Sequence, residues 1–67
     1  MRASYDPKTD ALSFILKENA QVAESDEDKP GVIPDYDERG DLVSMEILDA
    51  SRRVTEAQKM EFQIAGE

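Results

Sequence analysis

Two stretches of this chain alternate apolar and polar residues at period two, and each is entered through the same turn chemistry. In Ala11–Lys17, Leu12, Phe14 and Leu16 share one face, while Ser13, Ile15 and Lys17 take the other. That is the pattern of a strand with one buried face. Ala3 and Tyr5 alternate ahead of it, and Asp6-Pro7-Lys8-Thr9-Asp10 lies between. Aspartate followed by proline suits a type I turn, because proline presets φ and the carboxylate bonds nearby backbone. A loop over Pro7–Asp10 sets Tyr5 opposite Leu12 and Ala3 opposite Phe14, which puts the apolar sets on one face.

The second stretch repeats the plan. Val32, Pro34 and Tyr36 alternate before the Asp37-Glu38-Arg39-Gly40 turn, and Val43, Met45 and Ile47 alternate after it. A four-residue loop puts both sets, Tyr36 and Val43 included, on one face; Gly40 suits a left-handed position at the turn's end. Pro34 lacks an N–H and implies an edge strand or a bulge. Tyr5–Leu12 and Tyr36–Val43 coincide at an offset of 31, with tyrosine and both aspartates in register. We read this as convergence on one hairpin chemistry, since two copies do not make a solenoid.

Residues 18–30 join the hairpins as an acidic connecting loop, long enough to cross an edge or end of the sheet, with a short extended patch near Val22. Asp49 and Ser51 are N-cap candidates for a helix over Ala50–Ala57. Met60, Phe62 and Ile64 alternate again, so a fifth strand is expected over Lys59–Ala65. A continuous helix from Ala50 to Ile64 ranks second, because Glu61 interrupts its stripe. The fold class is therefore α+β: a small antiparallel sheet of two β-hairpins, a short helix and a C-terminal strand, in one domain over residues 1–67. The expected buried face carries Tyr5, Leu12, Phe14, Leu16, Val32, Tyr36, Val43, Met45 and Ile47.

The residue inventory narrows the chemistry. The chain has no cysteine and no histidine, which removes thiolate metal sites, the commonest general base and the commonest metal ligand. Serines 4, 13, 25, 44 and 51 have no histidine to activate them. Lys17, Lys29 and Lys59 read as solvated, and Tyr5 and Tyr36 as core or rim residues. The longest apolar run is too short for a membrane span or a signal-peptide core. Asp35, Asp37, Gly40 and Glu46 match four positions of a calcium-loop skeleton. Arg39 stands where an oxygen ligand belongs, and strands replace the flanking helices, so that reading is rejected. No cofactor or metal is expected.

Charge is the one positive functional signal. The net charge is −8, and residues 24–49 hold all of the excess, with ten acids against two bases. Residues 1–23 and 50–67 are each neutral. Such a surface repels nucleic acid and attracts basic proteins. Acidity that merely keeps the chain soluble is the plainer explanation. The candidate partner-binding residues are Glu24, Asp26, Glu27, Asp28, Asp35 and Glu46. Glu46 projects opposite Met45 and Ile47, into solvent or toward a partner.

Taken in order, Tyr5-Asp6, Asp10-Ala11-Leu12, Val22-Ala23-Glu24-Ser25, Pro30-Gly31-Val32-Ile33, Asp35-Tyr36-Asp37 and Glu46-Ile47-Leu48-Asp49-Ala50-Ser51 resemble the short prokaryotic proteins grouped as domain of unknown function 2283. The resemblance covers residues 2–53, and Glu46–Ser51 is its most specific part. Pro34 departs from an aliphatic position and Asp28 from an apolar one. The resemblance implies a fold without an assigned activity. Through the association of such proteins with small toxins, it also implies an antitoxin-like role.

The expectation is a non-enzymatic, cytoplasmic protein-interaction module. Its partners are a second copy of itself, in a homodimer, and a small basic protein, with neither nucleic acid nor membrane among them. A small-ligand or metal-binding module using the acidic strip is the alternative. The homodimer follows because Ile15, Ile33, Leu42 and Leu48 add apolar surface on the outer face, more than one thin sheet hides.

Overall fold

The computed structural model describes residues 1–27 and 29–66. Five strands form one antiparallel sheet: β1 (Arg2–Asp6), β2 (Ala11–Ile15), β3 (Glu24–Ser25), β4 (Val32–Tyr36) and β5 (Leu42–Ile47). One short helix follows, α1 (Ala50–Arg53). The strand order is β1-β2-β5-β4-β3, so the two hairpins meet along β2 and β5.

The first hairpin has the register its turn dictates, with Tyr5 opposite Leu12 and Ala3 opposite Phe14. The Asp6 carboxylate accepts the Lys8 N–H at 2.9 Å, and Asp10 closes the turn at φ 56°. In the second hairpin Asp37 plays the part of Asp6, accepting the N–H groups of Arg39 at 2.9 Å and Asp41 at 3.0 Å. Here the register differs from expectation. Val32 faces Ile47 and Pro34 faces Met45, but the pairing slips between Asp35 and Tyr36, and Tyr36 faces Leu42. A bulge of this kind sets two residues of one strand against one of the other. The loop is Asp37–Asp41, one residue longer than expected. Pro34 lies next to this irregularity. Its carbonyl accepts the Asp26 N–H at 3.0 Å. A residue's N–H and C=O point to the same side of a strand, so the missing donor lies toward β3 and leaves the β4–β5 ladder intact.

The register gathers Ala3, Tyr5, Leu12, Phe14, Val32, Pro34, Met45 and Ile47 on one face. Of the expected core only Leu12 and Val43 are buried, joined by Ala50; Tyr5, Phe14, Leu16, Val32, Tyr36, Met45 and Ile47 are half-buried. A single thin sheet has one layer too few to enclose them.

Two further expectations are corrected. The fifth strand is not Lys59–Ala65 but Glu24–Ser25, within the acidic connecting loop. That loop passes the end of the sheet beside the second turn, where Lys17 binds Asp37, and then runs along β4. Residues 59–65 form no part of the sheet, and Phe62 and Ile64 are 74% and 71% exposed. The helix ends at Arg53 instead of Ala57, and it does not run on to Ile64. Val54 turns extended at φ −124° and ψ 153°, and the Arg53 guanidinium reaches the Pro30 carbonyl at 2.6 Å. Gly31 sits beneath that guanidinium at φ 83°, where a β-carbon would meet Nη2 at 2.7 Å. Among the described residues, no helix is long and apolar enough to cross a membrane.

Candidate functional site

The polar face of the sheet carries the one buried carboxylate of the described residues. Asp35, on β4, is 5% exposed. It stands between Ser44 on β5 and Ser25 on β3. The Ser25 hydroxyl donates to Oδ1 at 2.5 Å, and the Ser44 hydroxyl donates to Oδ2 at 2.7 Å. Both carboxylate oxygens are thereby satisfied, as burial requires. The row gives the two-residue β3 a side-chain tie that its short ladder lacks.

Glu46 lies on the same face, one alternation along β5 from Ser44, opposite Ser13 and Ile33. Partial burial, and then the charge of Asp35 and a hydrogen bond with it, raise the Glu46 carboxyl above its ordinary value. Ile15, opposite Ser44, and Ile33 border the two acids with apolar surface. The result is a half-buried, mixed apolar and acidic patch in which one carboxylate is satisfied and the other favours a cation beside it.

The structure thus unites two of the six candidate residues, Asp35 and Glu46. Glu24 is exposed on β3, on the face opposite Ser25. Asp26 continues that edge through its backbone bond to Pro34. Glu27 is exposed and folds back on its own loop, its carboxylate accepting the Gly31 N–H at 2.8 Å. Asp28 lies outside the described residues.

The calcium-loop residues also separate. Asp35 is held by serines, whereas Asp37 and Asp41 both bind the Lys17 ammonium, at 2.5 and 3.3 Å. The lysine holds Asp37 below the ordinary carboxylate value, and the same contacts raise Lys17. No group of three or more potential ligands among the described residues could hold a metal ion.

A second network escapes a reading by local pattern. Tyr5 donates its hydroxyl to Asp10 at 2.6 Å, and Asp10 accepts the Ser51 N–H at 3.0 Å and its hydroxyl at 2.7 Å. The Asp10 carbonyl also accepts the Ala50 N–H at 2.9 Å. Asp49 occupies the N-cap position in left-handed backbone but makes no side-chain cap. Asp10 does that work from another turn. The only sequence signal was the resemblance itself, which contains both Asp10 and Ala50-Ser51.

On the apolar face, Ala3, Tyr5, Leu12 and Phe14 line a groove of about 310 Å³, closed on its other side by residues 54–60.

A family model described as "Protein of unknown function (DUF2283)" matches residues 2–51, most of the chain. It spans every strand and both networks, and it ends within α1. No curated protein and no solved structure matches the chain.

Proposed function

The chain belongs to the DUF2283 family, and from that premise we propose that it is a non-enzymatic interaction module whose acidic half docks a basic protein. The observation that carries this reading is charge segregation: ten acids against two bases between residues 24 and 49, with both flanking segments neutral. The fold supports it by placing that segment in adjacent strands, β3, β4 and β5, so the charges share one end of one sheet. Lys17 neutralises part of the second turn, and the β3 edge and Glu46, backed by the buried Asp35, remain as acidic surface. A lysine or arginine beside Glu46 would offset the repulsion from Asp35, and the bordering isoleucines would shield the pair from water. Complementary charge of this kind accelerates and orients association. Its most specific form is an antitoxin-like role, with carboxylates standing in the phosphate-binding cleft of a basic toxin.

The test compares wild-type protein with the variant Glu24→Gln, Asp26→Asn, Glu46→Gln as bait in native lysate, at low and high salt. A basic chain should be enriched by the wild type, and enrichment should fall with the variant and with salt. Equal enrichment by both baits, or none by the wild type, rejects the reading.

A further inference from the structure

We propose that the C-terminal segment of each chain, residues 60–64, pairs with the free edge of β1 in a second copy, so that two chains exchange tails across a two-fold axis. This surface is separate from the acidic one.

Three observations converge on it. The tail alternates Met60, Phe62 and Ile64, which are 55%, 74% and 71% exposed. An alternating, unpaired segment of this kind is suited to adding a strand to an exposed sheet edge. β1 offers the missing edge. It ends the strand order, and Arg2, Ala3, Ser4 and Asp6 are all exposed. The tail already lies at the β1 end of the sheet, because Met60 and Phe62 share a groove of about 420 Å³ on its apolar face with Met1, Ala3 and Phe14.

Charge selects the occupant. Two copies each bearing −8 repel wherever residues 24–49 approach one another. Residues 1–23 and 50–67 are neutral, and they supply both β1 and the tail. A second copy can therefore dock here at the least electrostatic cost, and a mutual contact of one patch with itself closes into a dimer. A basic partner would instead be drawn to the other end of the sheet.

Light scattering during gel filtration of the full chain, at micromolar concentration, reads the result. The expected mass is twice the 7.5 kDa of one chain. Phe62→Asp with Ile64→Asp should halve it, and both positions are exposed enough to leave the fold intact by circular dichroism. Val22→Asp changes an apolar residue beside β3 that is 48% exposed, away from the tail and β1, and should remain dimeric. Raising salt from about 0.05 to about 0.5 M should tighten the dimer by screening self-repulsion. That is opposite in sign to the basic-partner complex, so the two proposals fail independently. A single-chain mass for the wild type, a dimer that survives the double substitution, or loss of the dimer in Val22→Asp overturns the proposal.

Discussion

The Asp10 carboxylate accepts both the N–H and the hydroxyl of Ser51, at 3.0 and 2.7 Å, across 41 positions of chain. A turn of the first hairpin therefore caps the helix that follows the second. Four-residue helices have almost no stability of their own. The helix exists because Asp10 satisfies the Ser51 N–H through its carboxylate and the Ala50 N–H through its carbonyl, while Ala50 is wholly buried.

Removing that cap should unfold more than the helix. Asp10→Ala deprives Tyr5 and Ser51 of their acceptor together, so its thermal midpoint should fall further than that of Asp49→Ala, which loses no side-chain bond. Tyr5→Phe should fall between them. If Asp49→Ala proves equal to Asp10→Ala in a thermal melt, the local cap is the one that matters and the long-range one is incidental.

Leu12 has unusually little redundancy behind it. It is one of three buried apolar residues among the described residues. Leu12→Ala costs about 2–5 kcal/mol by lost transfer and cavity energy. A domain of this size holds roughly 3–5 kcal/mol in all. The variant should accordingly be substantially unfolded in water at room temperature, as read by urea titration of the circular dichroism signal. A cooperative transition with an unshifted midpoint would show that the site collapses without loss.

Asp35 is the corresponding residue on the polar face. Asp35→Ala leaves the buried Ser44 hydroxyl without its acceptor, at a cost of about 1–3 kcal/mol for an unsatisfied buried group, and releases the exposed Ser25 hydroxyl to solvent. The loss should concentrate at β3. Hydrogen exchange at the Ala23 and Asp26 amides, which bond to Tyr36 and Pro34, should accelerate well beyond that at β1 and β2 amides. Uniform acceleration would mean that the serine–carboxylate row supports the sheet as a whole.

What could be read from the residues divides along physical lines. The first hairpin was legible to the register, because the turn from Asp6 to Asp10 and the alternation on both sides agree. In the second, the parity of Val32 and Pro34 was legible, but the bulge beside Val43 was not; one extra residue leaves no mark on an alternating pattern. β3 was hidden for a related reason. Two residues have no period, and what holds Glu24-Ser25 is a hydroxyl meeting Asp35 from ten positions away. The tail shows the converse. Met60, Phe62 and Ile64 alternate as a strand should, yet alternation records only which side chains share a face and supplies no edge to pair with. At the candidate site, charge alone singles out Asp35 and Glu46. That they lie on one face across β4 and β5 depends on the register, and the separation of Glu24 and Glu27 from them follows from local backbone bonds that composition does not encode.

The pH dependence of stability should show opposing carboxylate effects. Burial, and then Asp35, raise Glu46 above its ordinary 4.5, so the folded chain takes up that proton before the unfolded chain does. Stability therefore rises as pH falls from neutrality through the folded value of Glu46, and the gain is complete near 4.5. Relief of the −8 charge acts in the same direction. Asp10 and Asp37 behave oppositely. Tyr5 and Ser51 lower the first, and Lys17 lowers the second, below the ordinary 3.8. Their stabilisation is fully present above 3.8 and is lost as pH falls through their folded values. Urea midpoints should consequently peak in the mildly acidic range, between these two windows, and decline below it. Glu46→Gln separates the local effect from the global one. It should raise the midpoint at neutral pH and flatten the rise on acidification, while leaving the loss at lowest pH unchanged. A midpoint that falls steadily from neutrality downward, or a Glu46→Gln profile parallel to the wild type, would exclude Asp35–Glu46 repulsion as a source of instability in the folded sheet.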